Sequence, residues 1–269
     1  MNNCCVVIPI YKPHLNKDEI HSLRQCFKIL RNYDIFFVTF EKLNMHCYDI
    51  IIKQCKVKYR CEYFEKEFFN GISGYNRLML SEHFYKRFIS YDYILLYQLD
   101  AYIFNDDLQK WCNLNYSYIG APLPHDLTSA VENAHNKISK YKISLTHTFN
   151  GGASLRKPSD FLQVIKENEE LINGWCNDGL NEDIIYSALF LNKESPSDEE
   201  VRAFSFDMFP KEEFEKNGRK LPMLCHGWTK TRGENHVYNR EFWLRYIWPS
   251  HFVCSKVSSY AQTLINHMK

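Results

Sequence analysis

The sequence has 269 residues, of which 45% are hydrophobic, 24% charged and 16% aromatic. This length and composition predict a folded chain with a sizeable core, arranged as one large α/β domain or two smaller ones. The formal net charge of +1 and the lack of a long Lys/Arg run exclude electrostatic attraction to nucleic acid, so we expect no nucleic-acid partner.

The first part of the chain predicts a β-α-β unit. Residues 4–13 form a largely apolar, β-branched run closed by proline, which is typical of a strand buried on both faces. Apolar residues at three- and four-residue spacing indicate a helix over 18–30, and the run 33–40 predicts a second strand. A segment bounded by glycine, 70–74, then precedes another amphipathic helix.

Residues 91–100 predict a further buried strand, and this strand ends in the carboxylate of Asp100. Judged by residue type alone, such an aspartate would more often cap a helix or form a turn. In open α/β sheets, however, ligands bind outside the carboxyl ends of the strands. The position of Asp100 therefore indicates a ligand site.

The second half of the chain places other polar groups between predicted core elements. A strand and turn are expected over 116–122, and the polar stretch 123–147 predicts a mobile loop over a site. Gly151 and Gly152 follow, then the helix start at 181–183, and finally His226. These positions and Asp100 are the candidates for catalytic and ligand-binding roles.

The order of five segments resembles one class of enzyme more specifically than any single motif does. The segments are Tyr93–Phe104, Tyr118–Pro122, Asn150–Arg156, Asn181–Asp183 and Cys225–Trp228. They resemble the GT-A glycosyltransferases, and within that class a bacterial family linked to surface-polysaccharide synthesis, including lipopolysaccharide and capsule. The resemblance implies an α/β fold of GT-A type, with a Rossmann-like, mixed but mostly parallel sheet flanked by helices.

The resemblance also implies the activity and the domain plan. We expect an inverting, metal-dependent transfer of a sugar from a nucleotide-sugar donor to a glycan or lipid-linked glycan acceptor. A single domain over 1–269 would contain a nucleotide-binding half at 1–120, an acceptor-binding and catalytic half at 121–238, and an aromatic extension at 239–269. A retaining enzyme could use the same carboxylates to position the donor, so retention stays open.

In this class an Asp-X-Asp motif holds Mg²⁺ or Mn²⁺ against the diphosphate, but here Tyr102 stands where the second Asp would be. One carboxylate, Asp100, can serve if phosphate oxygens, water and a later side chain complete the coordination. The resemblance implies that His226 is this later ligand, and an imidazole favours manganese over magnesium. As a lone histidine beside Cys225 and Trp228, His226 would more often be a core or turn residue.

A carboxylate at the start of a late helix removes the acceptor proton in inverting members of the class. Asp183 stands at that position, with Glu182 as the second choice. The alternative is that both residues only cap the helix.

The resemblance further implies the residues that contact the donor and the acceptor. For the nucleotide and its diphosphate they are Pro9, Ile10, Tyr11, Glu41, Tyr75, Asn76, Arg77, Gln98, Asp100, Ala101 and Tyr102. For the sugars they are Asn150, Gly151, Gly152 and Arg156. A pair of glycines lets the backbone approach a ligand closely, although a tight turn explains them as well. Arg156 could equally be a solvated surface charge, and Glu41 could simply start a loop.

Two other functions fit parts of the sequence. A sugar-nucleotide nucleotidyltransferase would need a glycine-rich phosphate loop after the first strand, and residues 11–14 contain no glycine. A carbohydrate-binding or assembly module would use the many aromatic residues as stacking platforms. Such a module would not need Asp100, Asp183 and His226 to converge.

The compartment is predicted from the cysteines and the chain start. The ten cysteines include no Cys-X-X-Cys pair, and residues 1–5 lead into a strand without signal-peptide features. No apolar run reaches the ~20 residues that span a bilayer. We therefore expect reduced thiols and a cytoplasmic protein. The aromatic tail after Asn239 is expected to pack onto the core, with peripheral contact at the inner face of the cytoplasmic membrane as the alternative.

Overall fold

The computed structural model describes residues 2–123, 148–190, 194–231 and 238–249. The predicted loop over 123–147 lies outside these ranges except for residue 123, and so does the tail after residue 249, including His251 and Phe252. The strands are β1 (Cys4–Pro9), β2 (Asp34–Thr39), β3 (Arg60–Tyr63), β4 (Tyr93–Tyr97), β5 (Tyr102–Ile103), β6 (Tyr118–Pro122), β7 (Phe149–Arg156), β8 (Ser205–Phe206) and β9 (Leu224–Cys225).

Helices connect most of these strands. They are α1 (Lys17–Ile29), α2 (His46–Cys55), α3 (Gly71–Met79), α4 (Glu82–Arg87), α5 (Leu108–Asn113), α6 (Pro158–Glu167), α7 (Glu169–Asn177), α8 (Glu182–Leu189), α9 (Asp198–Phe204), α10 (Pro210–Lys216) and α11 (Arg240–Ile247). A 3-10 helix at Lys66–Phe69 precedes α3. A capping box at Asn16 and Glu19 begins α1, so local sequence fixes the start of that helix.

The main sheet has six strands in the order β3-β2-β1-β4-β7-β6. The pairs β2–β3, β1–β2 and β1–β4 are parallel, whereas β7 runs antiparallel to both of its neighbours. Five strands therefore share one direction. The predicted fold class, a mixed but mostly parallel sheet flanked by helices, is confirmed.

Both faces of this sheet are covered, as the apolar run of β1 predicts. Val7 faces a core that includes Phe84 and Phe161 from α4 and α6. Val6, the residue before it, points to the opposite face of the sheet and contributes to a second core that includes Phe27 from α1. Because successive strand residues point to opposite faces, a strand buried on both sides must be continuously apolar.

A smaller sheet, in the order β5-β9-β8, lies beyond the carboxyl end of β4. Its register sets Tyr102 opposite Cys225 in antiparallel pairing, and Phe206 beside Cys225 in parallel pairing. The short strands β8 and β9 thereby bring a late part of the chain next to the residues that follow β4.

The last helix among the described residues, α11, packs back onto the body of the protein, as the sequence favoured for this part of the tail. Trp243 and Ile247 are buried in a third core, and Arg240 forms an ion pair with Asp18 of α1. His21 stacks on the ring of Trp248 at 4.7 Å between centroids. Among the described residues, no helix combines the length and the apolar character that crossing a membrane requires.

Candidate active site

A turn directly after β4 carries Asp100 at the centre of the main sheet. The backbone N–H of Gln98 donates to the carbonyl of Gly152 at 2.9 Å, which extends the pairing of β4 with β7 by one residue. The N–H of Ala101 then donates to the carbonyl of Gln98 at 2.9 Å and closes the turn. Asp100 therefore lies at a strand's carboxyl end, where ligands of α/β sheets bind.

His226 lies beside Asp100 because β9 pairs with β5. The Nε2 atom of His226 is 3.1 Å from Oδ1 of Asp100 and 3.1 Å from Oε1 of Gln98. The structure thus brings together the two residues that the sequence proposes as metal ligands. It also adds the Gln98 amide to the same place.

The neighbouring positive and negative charges around Asp100 and His226 favour the charged form of each residue. Burial by itself lowers the pKa of His226, but the carboxylates of Asp100 and Asp207 outweigh burial and raise it to about 9. Burial would likewise raise the pKa of Asp100, but His226 and Lys230 hold it well below its usual range. The Nζ atom of Lys230 is 3.6 Å from Oδ2 of Asp100. At neutral pH this cluster therefore contains an ionised Asp100 between two positive charges.

Asp207 is a site residue that the sequence analysis missed. Its side chain is buried, with Oδ1 at 3.4 Å from Nδ1 of His226. A carboxylate on the far nitrogen of an imidazole fixes the orientation of the ring. Asp207 follows β8, which at two residues is too short to give a strand signal.

A cavity of about 390 Å³ opens next to Asp100. It is lined by Pro9, Tyr11, Glu19, Phe68, Phe69, Gly71, Ile72, Tyr75, Gln98, Leu99, Asp100 and Thr229. Five of these residues were predicted from the sequence, namely Pro9, Tyr11, Tyr75, Gln98 and Asp100. The contribution of the 3-10 helix and the start of α3 was not, because that irregular stretch has no periodicity to interpret.

The other residues predicted to contact the donor are not among those that line this cavity. Ile10 and Ala101 have no exposed surface, and Tyr102 packs in the third core, so these side chains do not face the cavity. Glu41 is exposed just after β2, and Arg77 is exposed and donates to Ser73 of its own helix at 3.3 Å.

Asn76 connects α3 to the start of α8 rather than lining the cavity. Its side-chain amide donates to Oδ1 of Asn181 at 3.0 Å, and its own oxygen accepts from the N–H of Glu182 at 3.4 Å. Asn76 thus satisfies a backbone donor at the N-terminus of α8, which carries the predicted base.

Asp183 lies at the start of α8, next to β7. Its Oδ2 accepts from the N–H of Gly151 at 3.4 Å, and its Oδ1 accepts from the N–H of Ile184 at 2.9 Å. Burial, and then the charge of Glu182, raise the pKa of Asp183 to about 7, against the lowering effect of these two N–H groups. Asp183 is half-buried, so it can exchange a proton near neutral pH.

Arg156 and Glu182 form a buried ion pair beneath Asp183, with Nη2 and Oε1 2.9 Å apart. Arg156 also donates to the hydroxyl of Tyr85 at 2.9 Å and to the carbonyl of Gly151 at 3.2 Å. It has no exposed surface, and Glu182 is 2% exposed. The suggestion of Arg156 as a solvated charge is wrong. The burial of Arg156 gives no support to a direct contact of Arg156 with substrate. The ion pair likewise gives no support to Glu182 as the second choice of base, because Arg156 neutralises its charge.

Gly151 and Gly152 separate the two charged clusters. A Cβ on Gly152 would lie 2.2 Å from Nε2 of His226, and a Cβ on Gly151 would lie 2.3 Å from Oε1 of Glu182. Asn150 accepts from the N–H of Gly152 at 2.8 Å and holds the segment in place. A side chain at either position would force these neighbouring side chains to move, and glycine avoids this conflict.

Three solved structures with a similar fold are glycosyltransferases, and the chain has a GT-A type of fold. The galactosyltransferase LgtC, in complex with donor and acceptor sugar analogs, is 12% identical with a TM-score of 0.55, and the match covers 90% of this chain and 94% of that one. GlyE from Streptococcus pneumoniae TIGR4 is 13% identical with a TM-score of 0.53, covering 91% of this chain and 60% of GlyE. Core-mannan synthase A from Aspergillus fumigatus, in a Mn/GDP form, is 12% identical with a TM-score of 0.51, covering 71% and 70%.

Residues 58–226 match the family described as "Protein of unknown function (DUF5672)", and the chain belongs to this family. The matched region extends from just before β3 to His226, and so includes Gln98, Asp100 and Asp183. No curated protein matches the chain.

The buried ion pair yields a stability prediction. Replacing Arg156 by Met should lower the free energy of unfolding by about 3–5 kcal/mol, because Glu182 would be left charged and unpaired in the core. The double variant R156M/E182Q should recover part of this loss, since it removes both charges. Urea unfolding at pH 7 measures both, with the exposed Arg77→Met as the matched control. A loss for R156M no larger than that for R77M would contradict the assignment.

Proposed function

We propose that this protein transfers a sugar from a nucleotide-sugar donor to a glycan or lipid-linked glycan acceptor. The observation that carries the proposal is the convergence of Asp100, His226 and Asp183 around Gly151 and Gly152, beside a cavity of about 390 Å³. The fold supports it, since LgtC has a similar fold and was solved with donor and acceptor sugar analogs. In keeping with the sequence resemblance, we propose that the reaction belongs to the synthesis of bacterial surface polysaccharide. It would take place in the cytoplasm or at the inner face of the cytoplasmic membrane.

The cavity beside Asp100 would hold the nucleoside. Tyr11 is 59% exposed at this cavity, and Tyr75 and Phe68 line it as well. Aromatic side chains present flat apolar surfaces on which a base can stack. Lys230 places a positive charge next to Asp100 and would attract the diphosphate.

The residues fit a divalent cation held by Asp100 and His226. A carboxylate oxygen and an imidazole nitrogen suit Mn²⁺, and Gly152 keeps the space in front of the imidazole free of a Cβ. Among the described residues, no group of three His, Cys, Asp or Glu side chains could hold a metal, so neutral ligands and the diphosphate would complete the coordination. When bound, the cation would neutralise charge on the departing nucleoside diphosphate.

Asp183 would act as the general base of an inverting transfer. The acceptor hydroxyl oxygen forms a bond to the anomeric carbon, the bond from that carbon to the diphosphate breaks, and the hydroxyl proton passes to Asp183. The ion pair of Arg156 with Glu182 holds the start of α8 in place beneath the base.

The base predicts a pH profile. Because Asp183 must be ionised and its pKa is raised to about 7, transfer at saturating MnCl₂ should increase with pH through about 7 and then level off. Asp183→Asn should lower kcat by about 10²–10⁴-fold while nucleotide binding persists. The assay follows nucleoside diphosphate release from a panel of sugar nucleotides with MnCl₂ and candidate acceptors between pH 5.5 and 8.5. Full activity in D183N would remove Asp183 as the base.

The metal site predicts a ligand-dependent stability. MnCl₂ together with UDP or GDP should raise Tm, and Asp100→Ala should abolish the increase. The increase should shrink as the pH falls from 9 to 6.5, because the raised pKa of His226 means that a proton competes with the cation below about 9. Thermal unfolding monitored by fluorescence measures this, with the exposed Asp92→Ala as a control. No shift with either nucleotide would favour the carbohydrate-binding module instead.

A further inference from the structure

The residue that replaces the second motif aspartate cannot serve the cation site. Tyr102 is 6% exposed, stacks on His21 at 5.5 Å between centroids and makes an edge-to-face contact with Trp228 at 6.0 Å. It points into the third core, away from the cavity. An additional protein ligand, if the site has one, must therefore come from another position.

Gln98 lies two residues on the other side of Asp100 and does face the site. Its Oε1 accepts from Nε2 of His226 at 3.1 Å, and the residue lines the cavity with Asp100. Both backbone groups of Gln98 form hydrogen bonds: its N–H donates to the carbonyl of Gly152, and its carbonyl accepts from the N–H of Ala101. Gln98 is thus held by the same turn that holds Asp100.

The distances match those between neighbouring ligands of one cation. Ligands about 2.1–2.3 Å from an octahedral cation, at right angles to each other, are about 3.0–3.3 Å apart. Nε2 of His226 lies 3.1 Å from Oδ1 of Asp100 and 3.1 Å from Oε1 of Gln98. Two oxygens therefore face one nitrogen at a spacing that a single cation can bridge.

Gly152 lies directly against Nε2 of His226 and Oε1 of Gln98. A Cβ there would lie 2.2 Å from Nε2 of His226 and 2.7 Å from Oε1 of Gln98. One added carbon would thus collide with two of the three candidate ligands. The absence of a side chain at Gly152 keeps both accessible.

We propose that Gln98 is a third protein ligand of the divalent cation, supplying a neutral amide oxygen beside Asp100 and His226. The inference rests on the proposed function. With only one carboxylate, the protein ligands carry little negative charge, and the affinity of oxygen-ligated cations depends on that charge. The cation would consequently bind well only together with a nucleoside diphosphate, which adds the missing negative oxygens.

The test measures Mn²⁺ affinity directly. The full-length protein is titrated with MnCl₂ at pH 8, and the EPR signal reports the free Mn²⁺. The titration is carried out with saturating UDP and, separately, with saturating GDP. Gln98→Leu should raise Kd by about tenfold or more, and Gln98→Glu should lower it by about tenfold and allow binding without nucleotide. Gln163→Leu, on the surface of α6, is the matched control and should bind like the wild type. Tm values show which variants fold, and Q98E decides the question if Q98L does not.

The outcomes separate the two proposals. If D100A and H226A abolish Mn²⁺ binding while Q98L and Q98E bind like the wild type, Gln98 is not a ligand and the proposed function stands. If Q98L weakens binding but Q98E does not strengthen it, Gln98 acts only through its hydrogen bond to His226, and the inference also fails. If the wild type binds no Mn²⁺ with either nucleotide, the metal-dependent part of the proposed function fails as well.

Discussion

The antiparallel pairing of β5 with β9 is the constraint on which the candidate site depends. It sets Tyr102 opposite Cys225 and so places His226 beside the turn that carries Asp100. The parallel partner β8 then delivers Asp207 to the other side of the imidazole. Each of these strands is two residues long, so they cannot be stable alone. They are held by the third core, in which Trp228, Trp243 and Phe206 pack together.

Two charged clusters meet at Gly151 and Gly152. On one side, His226 lies between two carboxylates; on the other, Arg156 neutralises Glu182 beneath Asp183. Buried charges are costly unless they are paired, and each cluster is paired in this way. Asp183 is the exception: it forms no ion pair with a described residue, and its pKa is raised to about 7. An imperfectly stabilised carboxylate at a half-buried position is what a general base requires.

The sequence predicted the features that depend on local pattern. The continuous apolar run of β1 indicated a strand buried on both faces, and the strand that ends before Asp100 indicated the carboxyl edge of a sheet; the structure has both. The contact of Asp100 with His226 was expected from the resemblance to a known class, whereas other features that depend on distant contacts had no signal in the sequence. No local pattern distinguishes the buried Arg156 from a surface arginine, because its burial depends on Tyr85, Tyr118 and Glu182. Asp207 was missed for the same reason: its importance comes from a histidine in another strand.

The most direct test of the account is the position of the cation. Crystals grown with MnCl₂ and UDP or GDP, measured at a wavelength where manganese scatters anomalously, would locate it without reference to activity. We expect one anomalous peak within about 2.5 Å of Oδ1 of Asp100 and Nε2 of His226, with the diphosphate against it and the nucleobase in the cavity beside Tyr11 and Tyr75. A nucleotide bound in that cavity with manganese elsewhere, or with the ion pair of Asp100 and His226 intact and no cation between them, would contradict it.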